Sequence, residues 1–299
     1  MKRRQFVWST LLFLGGCTLA TQQASTDSNS VSSIAKPERL NFSVTDIIGL
    51  EKLEENYGQF RAELSEMLGI ELEFFPVDNM SAAASALQLD RLDFALTGPS
   101  EYVAIRARTN AIPVIAIERP NYYSAMVVPA DSSIESIQDL KGKTLALSDV
   151  GSTSGHLSPT HMLVKAGLNP KSDLQVKMLG DDGSIEAIKT GRVDAWAGSA
   201  VDYKQYLEPQ ADRFKILAEG PPLPNDVFVA SSNMNPELVE YIRSRVLDNQ
   251  DRLIEALVQG EATQKYKGAR LLNAQDSDYD MIREVYRAIG QGDFLDNNG

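Results

Sequence analysis

Three hydroxyl residues stand between two glycines near the middle of the chain: Ser152, Thr153 and Ser154, flanked by Gly151 and Gly155. A strand-like run precedes them and an apolar helical pattern follows, which predicts a strand-to-helix turn. Hydroxyl groups donate hydrogen bonds, glycines let the backbone come close, and the free N–H groups at a helix start attract negative charge. The stretch therefore predicts a cradle for a small anion.

Other interpretations of this stretch are a capped turn and a loop of a different chemistry. Clusters of Ser, Thr and Gly are common at helix caps, so a capped turn explains the same residues equally well. A Walker loop would end in Gly-Lys-Ser or Gly-Lys-Thr, which is missing here. A nucleophile elbow needs Ser at its centre, where this chain has Thr153. An anion site and a cap remain the two alternatives.

The net charge limits what the chain can bind. It is −12 for the full sequence, and it becomes more negative if the basic N-terminus is removed. Such a protein lacks the basic footprint that nucleic acid requires, and it repels anions at long range. An anionic ligand would therefore need a site built locally from oriented donors.

The N-terminus predicts export. Residues 1–16 combine a basic start with a short apolar run, which is typical of a signal peptide. The run ends in Leu-Gly-Gly followed by Cys17, the only cysteine, and this tetrapeptide resembles the bacterial lipobox, in which the cysteine carries a lipid. Paired arginines near the start also resemble a twin-arginine signal, with the general export route as the alternative. Residues 17–37 are polar and predict a flexible tether. We expect a lipoprotein held to a membrane on its periplasmic or outer side through Cys17.

Beyond the tether, strand-like and helix-like segments alternate, which favours α/β architecture with mostly parallel sheets. Strands are predicted at 40–44, 70–75, 94–97, 112–117, 124–128, 144–147, 174–178, 195–197, 214–217 and 227–230. Helices are predicted at 50–68, 80–89, 99–107, 134–140, 156–166 and 183–190, and helices dominate from Pro236 on.

Two breaker-rich stretches, at 129–132 and 220–224, bracket a block with its own strand and helix series. We therefore expect two α/β lobes with a cleft and a hinge between them. Lobe 1 would comprise residues 38–129 and 225–299, and lobe 2 would comprise residues 130–224.

Several motifs resemble those of one transport family. They are Ser152-Thr153-Ser154-Gly155 with Pro159 following, Leu89 to Ala95, Gly98-Pro99-Ser100-Glu101-Tyr102, Tyr122-Tyr123-Ser124, Gly191 to Ala195 and Pro222 to Asp226. Together they are similar to the phosphate, phosphite and phosphonate substrate-binding proteins of ABC importers, over nearly all of the chain beyond the tether. The resemblance implies a type II periplasmic-binding-protein fold. It also implies a monomer that closes on its ligand and docks on an ABC permease of the inner membrane. The sequence itself has no cofactor motif, so we expect no cofactor and no enzymatic activity.

The resemblance also implies ligand contacts. The hydroxyl turn would hold the oxygens of a phosphorus oxyanion, together with a tyrosine before the crossover and acidic residues of the second lobe and the return crossover. The residues implied are Ser152, Thr153, Ser154, Tyr122, Asp202 and Asp226. His156, inside the motif, is a further candidate contact.

Two positions depart from the family. Thr97 stands where relatives often have tyrosine, and Asp181 stands where they often have histidine. A carboxylate about 4 Å from an anion costs roughly 1–4 kcal/mol unless the ligand donates a proton to it. We hypothesise that Asp181, Asp202 or Asp226 accepts that proton, so that the site prefers a singly protonated oxyanion. For Asp181 the alternative is a solvated helix cap.

The remaining residues do not favour catalysis. His156 and His161 are too few and badly spaced for a metal site, and we find no pair of nucleophile and base. Trp196 lies in a predicted strand and is expected in the core. The function predicted is capture of phosphonate or phosphite for an importer. The alternatives are a receptor for inorganic phosphate or another small oxyanion, and a ligand-sensing lipoprotein.

Overall fold

The computed structural model describes residues 34–78 and 80–295, with the backbone alone for residues 80 and 81. The signal peptide, Cys17 and all but the last residues of the predicted tether therefore lie outside the described residues. From Ala35 onward the chain forms one unit that holds two β-sheets. None of the helices in the described ranges is long and apolar enough to cross a membrane.

Eleven strands occur in the described ranges. They are β1 (Arg39–Val44), β2 (Glu71–Phe74), β3 (Phe94–Thr97), β4 (Ile112–Ile117), β5 (Ser124–Pro129), β6 (Thr144–Leu147), β7 (Gln175–Met178), β8 (Ala195–Ser199), β9 (Phe214–Glu219), β10 (Asp226–Ala230) and β11 (Leu271–Asn273). The first sheet has the order β11-β4-β10-β3-β1-β2, and the second has the order β7-β6-β8-β5-β9.

The α-helices cover the sheets. In the described ranges they are α1 (Leu50–Leu68), α2 (Met80–Gln88), α3 (Pro99–Thr109), α4 (Ser158–Lys165), α5 (Gly180–Lys189), α6 (Ala200–Asp202), α7 (Pro236–Asp248), α8 (Gln250–Leu257) and α9 (Asp280–Ala288). The apolar spacing of α1 buries one side of the helix against the first sheet, and the helix ends at Gly69, whose φ of 61° the missing Cβ allows.

The sheets are mixed, so the expectation of mostly parallel sheets is wrong. In the first sheet β1 to β4 run in one direction, while β10 pairs antiparallel with both β3 and β4. In the second sheet β5 is antiparallel to β8 and β9. Strands β5 and β10 are the first strands after each passage of the chain from one sheet to the other. Each of these two strands begins at the carboxyl ends of the parallel strands, and it is therefore antiparallel to them.

The two passages define the crossovers. The chain leaves the first sheet after Ile117 and enters the second at Ser124, then leaves the second after Glu219 and returns at Asp226. The predicted lobe boundary at residue 129 would assign β5 to lobe 1, whereas its pairing with β8 and β9 places it in the second sheet. The division into two lobes with a hinge stays a proposal, with the crossovers at residues 118–123 and 220–225.

Local differences from the predicted elements follow from short-range effects. The helix predicted at 134–140 is a single 3₁₀ turn, Ile137–Leu140. The helix predicted at 156–166 begins as a wide π-type turn, Thr153–Leu157, and continues as α4 with Pro159 in its first turn, where its missing N–H costs nothing. The short strand β11 was not predicted.

The apolar core lies on both faces of each sheet. One cluster of the first sheet packs α3 against α9 and includes Tyr102, Tyr279 and Ile282. Leu157, which follows the second sheet's strand β6 in sequence, belongs to this same cluster and is fully buried. The hydroxyl turn is thus fixed to the neighbouring sheet by an apolar side chain.

Candidate functional site

The turn that carries the three hydroxyl residues holds itself together. The side-chain oxygen of Ser152 accepts the N–H of Gly155 at 3.2 Å, and its carbonyl accepts the N–H groups of His156 and Leu157. Nδ1 of His156 accepts the N–H of Gly151 at 3.0 Å. Ser152 is therefore a cap, and His156 binds the turn's own backbone through one ring nitrogen.

Two amides of the turn are left over. Within the described part of the chain, no hydrogen-bond acceptor serves the backbone N–H groups of Thr153 and Ser154. Unsatisfied N–H groups at the start of a helix carry a partial positive charge and bind anions. The turn therefore combines the two interpretations that the sequence left open, because Ser152 caps it while its neighbours offer free donors.

Gly155 lets the turn lie against the end of β6. A Cβ at this position would lie 2.3 Å from the Cβ of Ser148, a distance that real contacts do not reach. The carbonyl of Gly155 accepts the N–H of Ser148 at 2.9 Å. Only glycine permits this close approach, which sets the height of the turn above the sheet.

The turn also contacts the first sheet. The N–H of Ser100, in the first turn of α3, donates to Oγ1 of Thr153 at 3.1 Å, and Oγ1 of Thr153 donates to Oγ of Ser100 at 2.8 Å. Oγ of Ser100 in turn donates to the carbonyl of Gly151 at 2.7 Å. Two helix starts, one from each sheet, therefore meet at Thr153.

Tyr122, on the first crossover, closes another side of the site. Its ring is buried, and its hydroxyl lies close to the side chains of Ser154 and Thr153. Burial raises the pKa of Tyr122, although the charge of Arg119 and the neighbouring Ser154 and Thr153 oppose the rise. The phenol therefore keeps its proton at neutral pH and can donate it to an anion.

Two cations that the sequence analysis missed lie behind Tyr122. The guanidinium of Arg119 lies 3.6 Å from the centroid of the Tyr122 ring and 3.4 Å from an oxygen of Asp226. Lys265 lies 2.6 Å from Asp46 and 3.8 Å from Asp226. Burial opposes both charges, yet Asp226 holds the pKa of Arg119 above its usual range, and Asp46 does the same for Lys265. Each cation is matched by a carboxylate, so the group adds little net charge.

The predicted acidic residues separate into two groups. Asp226 is buried, and besides its ion pairs it accepts the hydroxyl of Tyr266 at 2.6 Å. Asp181 lies in the first turn of α5, not before the helix as predicted, and accepts a hydrogen bond from the hydroxyl of Ser148. Burial raises the pKa of Asp202 to about 6, and the charge of Asp181 adds to the rise. Asp181 and Asp202 are thus close enough to repel each other.

Thr97 lies on the first sheet's side with a carboxylate that was not predicted. Oε2 of Glu101 lies 3.3 Å from the hydroxyl of Thr97, 3.1 Å from that of Thr45 and 2.8 Å from the N–H of Gly98. Burial raises the pKa of Glu101, and the charge of Asp46 raises it further. This carboxylate could share a proton with a ligand as readily as the predicted aspartates.

Among the predicted site residues, the structure brings Thr153, Ser154 and Tyr122 close together. It places Asp181 and Asp202 near each other and gives Ser152 and His156 structural bonds within the turn. Asp226 belongs to the group of paired charges. Sequence reasoning missed Ser100, Glu101, Arg119 and Lys265. A basic residue within two positions of the end of an apolar strand, as Arg119 is of β4, is a signal that could have found one of them.

A two-sheet α/β unit with two crossovers and a polar site at the ends of the parallel strands is the type II fold of periplasmic binding proteins. A sequence profile described as "ABC transporter, phosphonate, periplasmic substrate-binding protein" matches residues 43–279. The chain belongs to this family of substrate-binding proteins.

Named relatives differ in their ligands. The chain is 25% identical to the phosphate-import protein PhnD of Mycolicibacterium smegmatis, over 85% of this chain and 87% of the relative. It is 26% identical to a probable ABC transporter phosphite-binding protein, PhnD1, of Prochlorococcus marinus, over 80% of this chain and 86% of the relative. The structure of that PhnD1 with methylphosphonate has a TM-score of 0.68 and 21% identity, covering 86% of this chain and 100% of the other.

Proposed function

We propose that this chain captures a small phosphorus oxyanion, phosphonate or phosphite, and delivers it to an ABC permease. The observation that carries the proposal is the turn at Thr153 and Ser154, where two backbone N–H groups have no acceptor within the described part of the chain and the Thr153 hydroxyl is bonded to the start of α3. A tetrahedral oxyanion presents several acceptors in a small volume, which suits two adjacent amide donors at one helix start with a phenol beside them.

The charge balance of the site supports a ligand that still carries a proton. Both buried cations are paired with carboxylates, while Glu101 and Asp202 have raised pKa values and no cation in direct contact among the described residues. A carboxylate beside a fully ionised guest is repelled by it, whereas one beside a P–OH group accepts a hydrogen bond. The site is therefore expected to disfavour sulfate, which has no proton to donate near neutral pH.

The runner-up ligand is inorganic phosphate. It shares the tetrahedral geometry and the exchangeable proton, and the Mycolicibacterium relative is named for phosphate import. Phosphite and phosphonates differ from it in one substituent on phosphorus, which is hydrogen or carbon in place of oxygen. Discrimination therefore depends on whether the fourth position of the site offers a polar or an apolar surface.

A thermal-shift screen tests the proposal. The protein truncated before residue 35 would be heated with phosphite, methylphosphonate, phosphate and sulfate at equal concentration. A bound ligand raises the melting temperature by mass action. We expect a shift with phosphite or methylphosphonate and none with sulfate. A shift with phosphate alone would select the runner-up, and the absence of any shift, repeated by calorimetry, would refute the proposal.

We also propose a lipid anchor at Cys17. Its support is the sequence alone, a basic start and an apolar run that end in Leu-Gly-Gly-Cys. The family's periplasmic location agrees with export. Expression of the full chain and of Cys17→Ser in a Gram-negative host tests the anchor. The parent should remain in the membrane fraction, and the variant should be released. Release of both would contradict it.

A further inference from the structure

Arg119 has an unusual combination of contacts for a structural ion pair. It lies two residues after the end of β4, on the first crossover, and its side chain is only 11% exposed. The centre of its guanidinium lies 3.6 Å from the centroid of the Tyr122 ring, which follows on the same crossover. Nε of Arg119 is buried and has no hydrogen-bond partner within the described part of the chain.

The same arginine reaches the return crossover. Its backbone N–H donates to Oδ1 of Asn225 at 3.4 Å, and its side chain contacts Asp226 at 3.4 Å. The other oxygen of Asp226 is occupied by the hydroxyl of Tyr266. Arg119 is therefore fixed at one end by the return crossover and covers the Tyr122 ring at the other.

A planar guanidinium over a phenol ring fixes the ring in one plane, because the cation is attracted to the electron-rich face. The hydroxyl of that ring lies close to the side chains of Ser154 and Thr153. An ion pair with Asp226 alone would need neither a planar cation nor a neighbouring ring. Lysine could place a charge over the ring, but only arginine can stack a planar group on it.

We propose that Arg119 is a positioning residue of the anion site, which holds the ring of Tyr122 so that its hydroxyl points to the Thr153–Ser154 turn. The proposal rests on the proposed function of the site. Arg119 acts through Tyr122, so removal of the phenol hydroxyl should make the identity of residue 119 nearly irrelevant to ligand binding.

A double-mutant cycle tests this dependence. The variants are Arg119→Gln, Tyr122→Phe and the double variant, and the readout is the Kd for whichever of methylphosphonate or phosphite the parent binds, measured by calorimetry. We expect each single change to weaken binding about tenfold, since desolvated cation–π contacts and buried hydrogen bonds are of this size. The double variant should be little weaker than Tyr122→Phe alone. Independent, multiplying losses would overturn the proposal.

Arg119→Lys keeps the positive charge beside Asp226 but removes the planar guanidinium, so it tests shape apart from charge. It also serves if Arg119→Gln does not fold. Lysine cannot stack as a planar fork, so binding should stay weakened. Full affinity in this variant would show that charge alone suffices and would also overturn the proposal. Arg270→Gln is the matched control, because Arg270 pairs with Glu118 at the surface, 68% exposed, and its loss should leave the Kd unchanged.

The two hypotheses fail differently. If the parent protein binds none of the phosphorus oxyanions, the proposed function is wrong. If the parent binds one of them but the cycle shows independent effects, only the role of Arg119 is wrong.

Discussion

Oγ1 of Thr153 donates a hydrogen bond of 2.8 Å to Oγ of Ser100, and it accepts the N–H of the same residue at 3.1 Å. These two residues belong to helix starts on different sheets, so the bonds join the halves of the site. A hydroxyl of the protein itself saturates the first free amide of α3. The N–H groups of Thr153 and its neighbour Ser154, which have no acceptor among the described residues, are then available to the proposed ligand.

Replacement of this hydroxyl should weaken ligand binding. Thr153→Val keeps the volume of the side chain but removes both bonds and leaves the N–H of Ser100 without its partner. A lost hydrogen bond to a buried group costs about 1–3 kcal/mol, which corresponds to roughly ten- to a hundredfold in Kd. Calorimetry with methylphosphonate or phosphite measures the change. Thr190→Val, at the exposed end of α5, serves as the control, and equal affinities of the two variants would contradict the expectation.

The stability of the ligand-free protein should depend on the charge of Asp202. Its folded pKa of about 6 lies above the ordinary 3.8, so the folded chain holds this proton more tightly than the unfolded chain. The stabilisation is therefore complete below about pH 4 and is lost as the pH rises through about 6. Urea unfolding at several pH values measures it. Relative to Asp202→Asn, the parent should become less stable across this window. A difference that does not change with pH would rule out the shift.

Gly155 should not tolerate a side chain. Alanine would place its Cβ 2.3 Å from that of Ser148, so the turn has to move away from β6. We expect Gly155→Ala to lower the free energy of unfolding by about 1–3 kcal/mol, as overpacking does, and to abolish ligand-induced thermal shift. Gly58→Ala, in the middle of α1, is the control. Its Cβ would meet only the flexible end of Glu54, and it should be neutral or slightly stabilising. An unchanged ligand response in Gly155→Ala would show that the turn can shift freely.

The indole of Trp196 should report on a single buried hydrogen bond. Its Nε1 donates to Oγ of Ser184 at 2.9 Å, and both residues are 1% exposed. Ser184→Ala leaves this donor unpaired, which costs about 1–3 kcal/mol. Urea unfolding followed by tryptophan fluorescence measures the loss, with the exposed Ser172→Ala as control. Loss of equal size in both variants would contradict this account.

The sequence was most informative where the chain's own periodicity determines structure. Strands at 94–97, 112–117 and 144–147 were predicted to the residue, because apolar runs between turn residues mark buried strands well. The direction of β5 and β10 depends on the path of the chain between two sheets, which no local pattern records. The mixed sheets could not be anticipated for that reason.

In the candidate site, too, the sequence revealed local patterns but not contacts between distant segments. The cluster at 152–154 was visible because its residues are adjacent in the sequence. Arg119 and Lys265 are far apart and become neighbours only through Asp226, on a third segment. Their pairing, not their presence, gives the site its charge balance. The sequence motif at 152–154 contains only neutral donors, so the sequence alone did not reveal the buried cations.

The burial of Leu157 favours the arrangement in which the hydroxyl turn packs against the first sheet. Its side chain is fully buried in the cluster between α3 and α9, next to the turn that is proposed to hold the ligand. If the halves separate, that side chain meets water, at a cost of about 1.5–3 kcal/mol. In the proposed function, that exposure adds to the work of releasing the ligand and favours the packed arrangement.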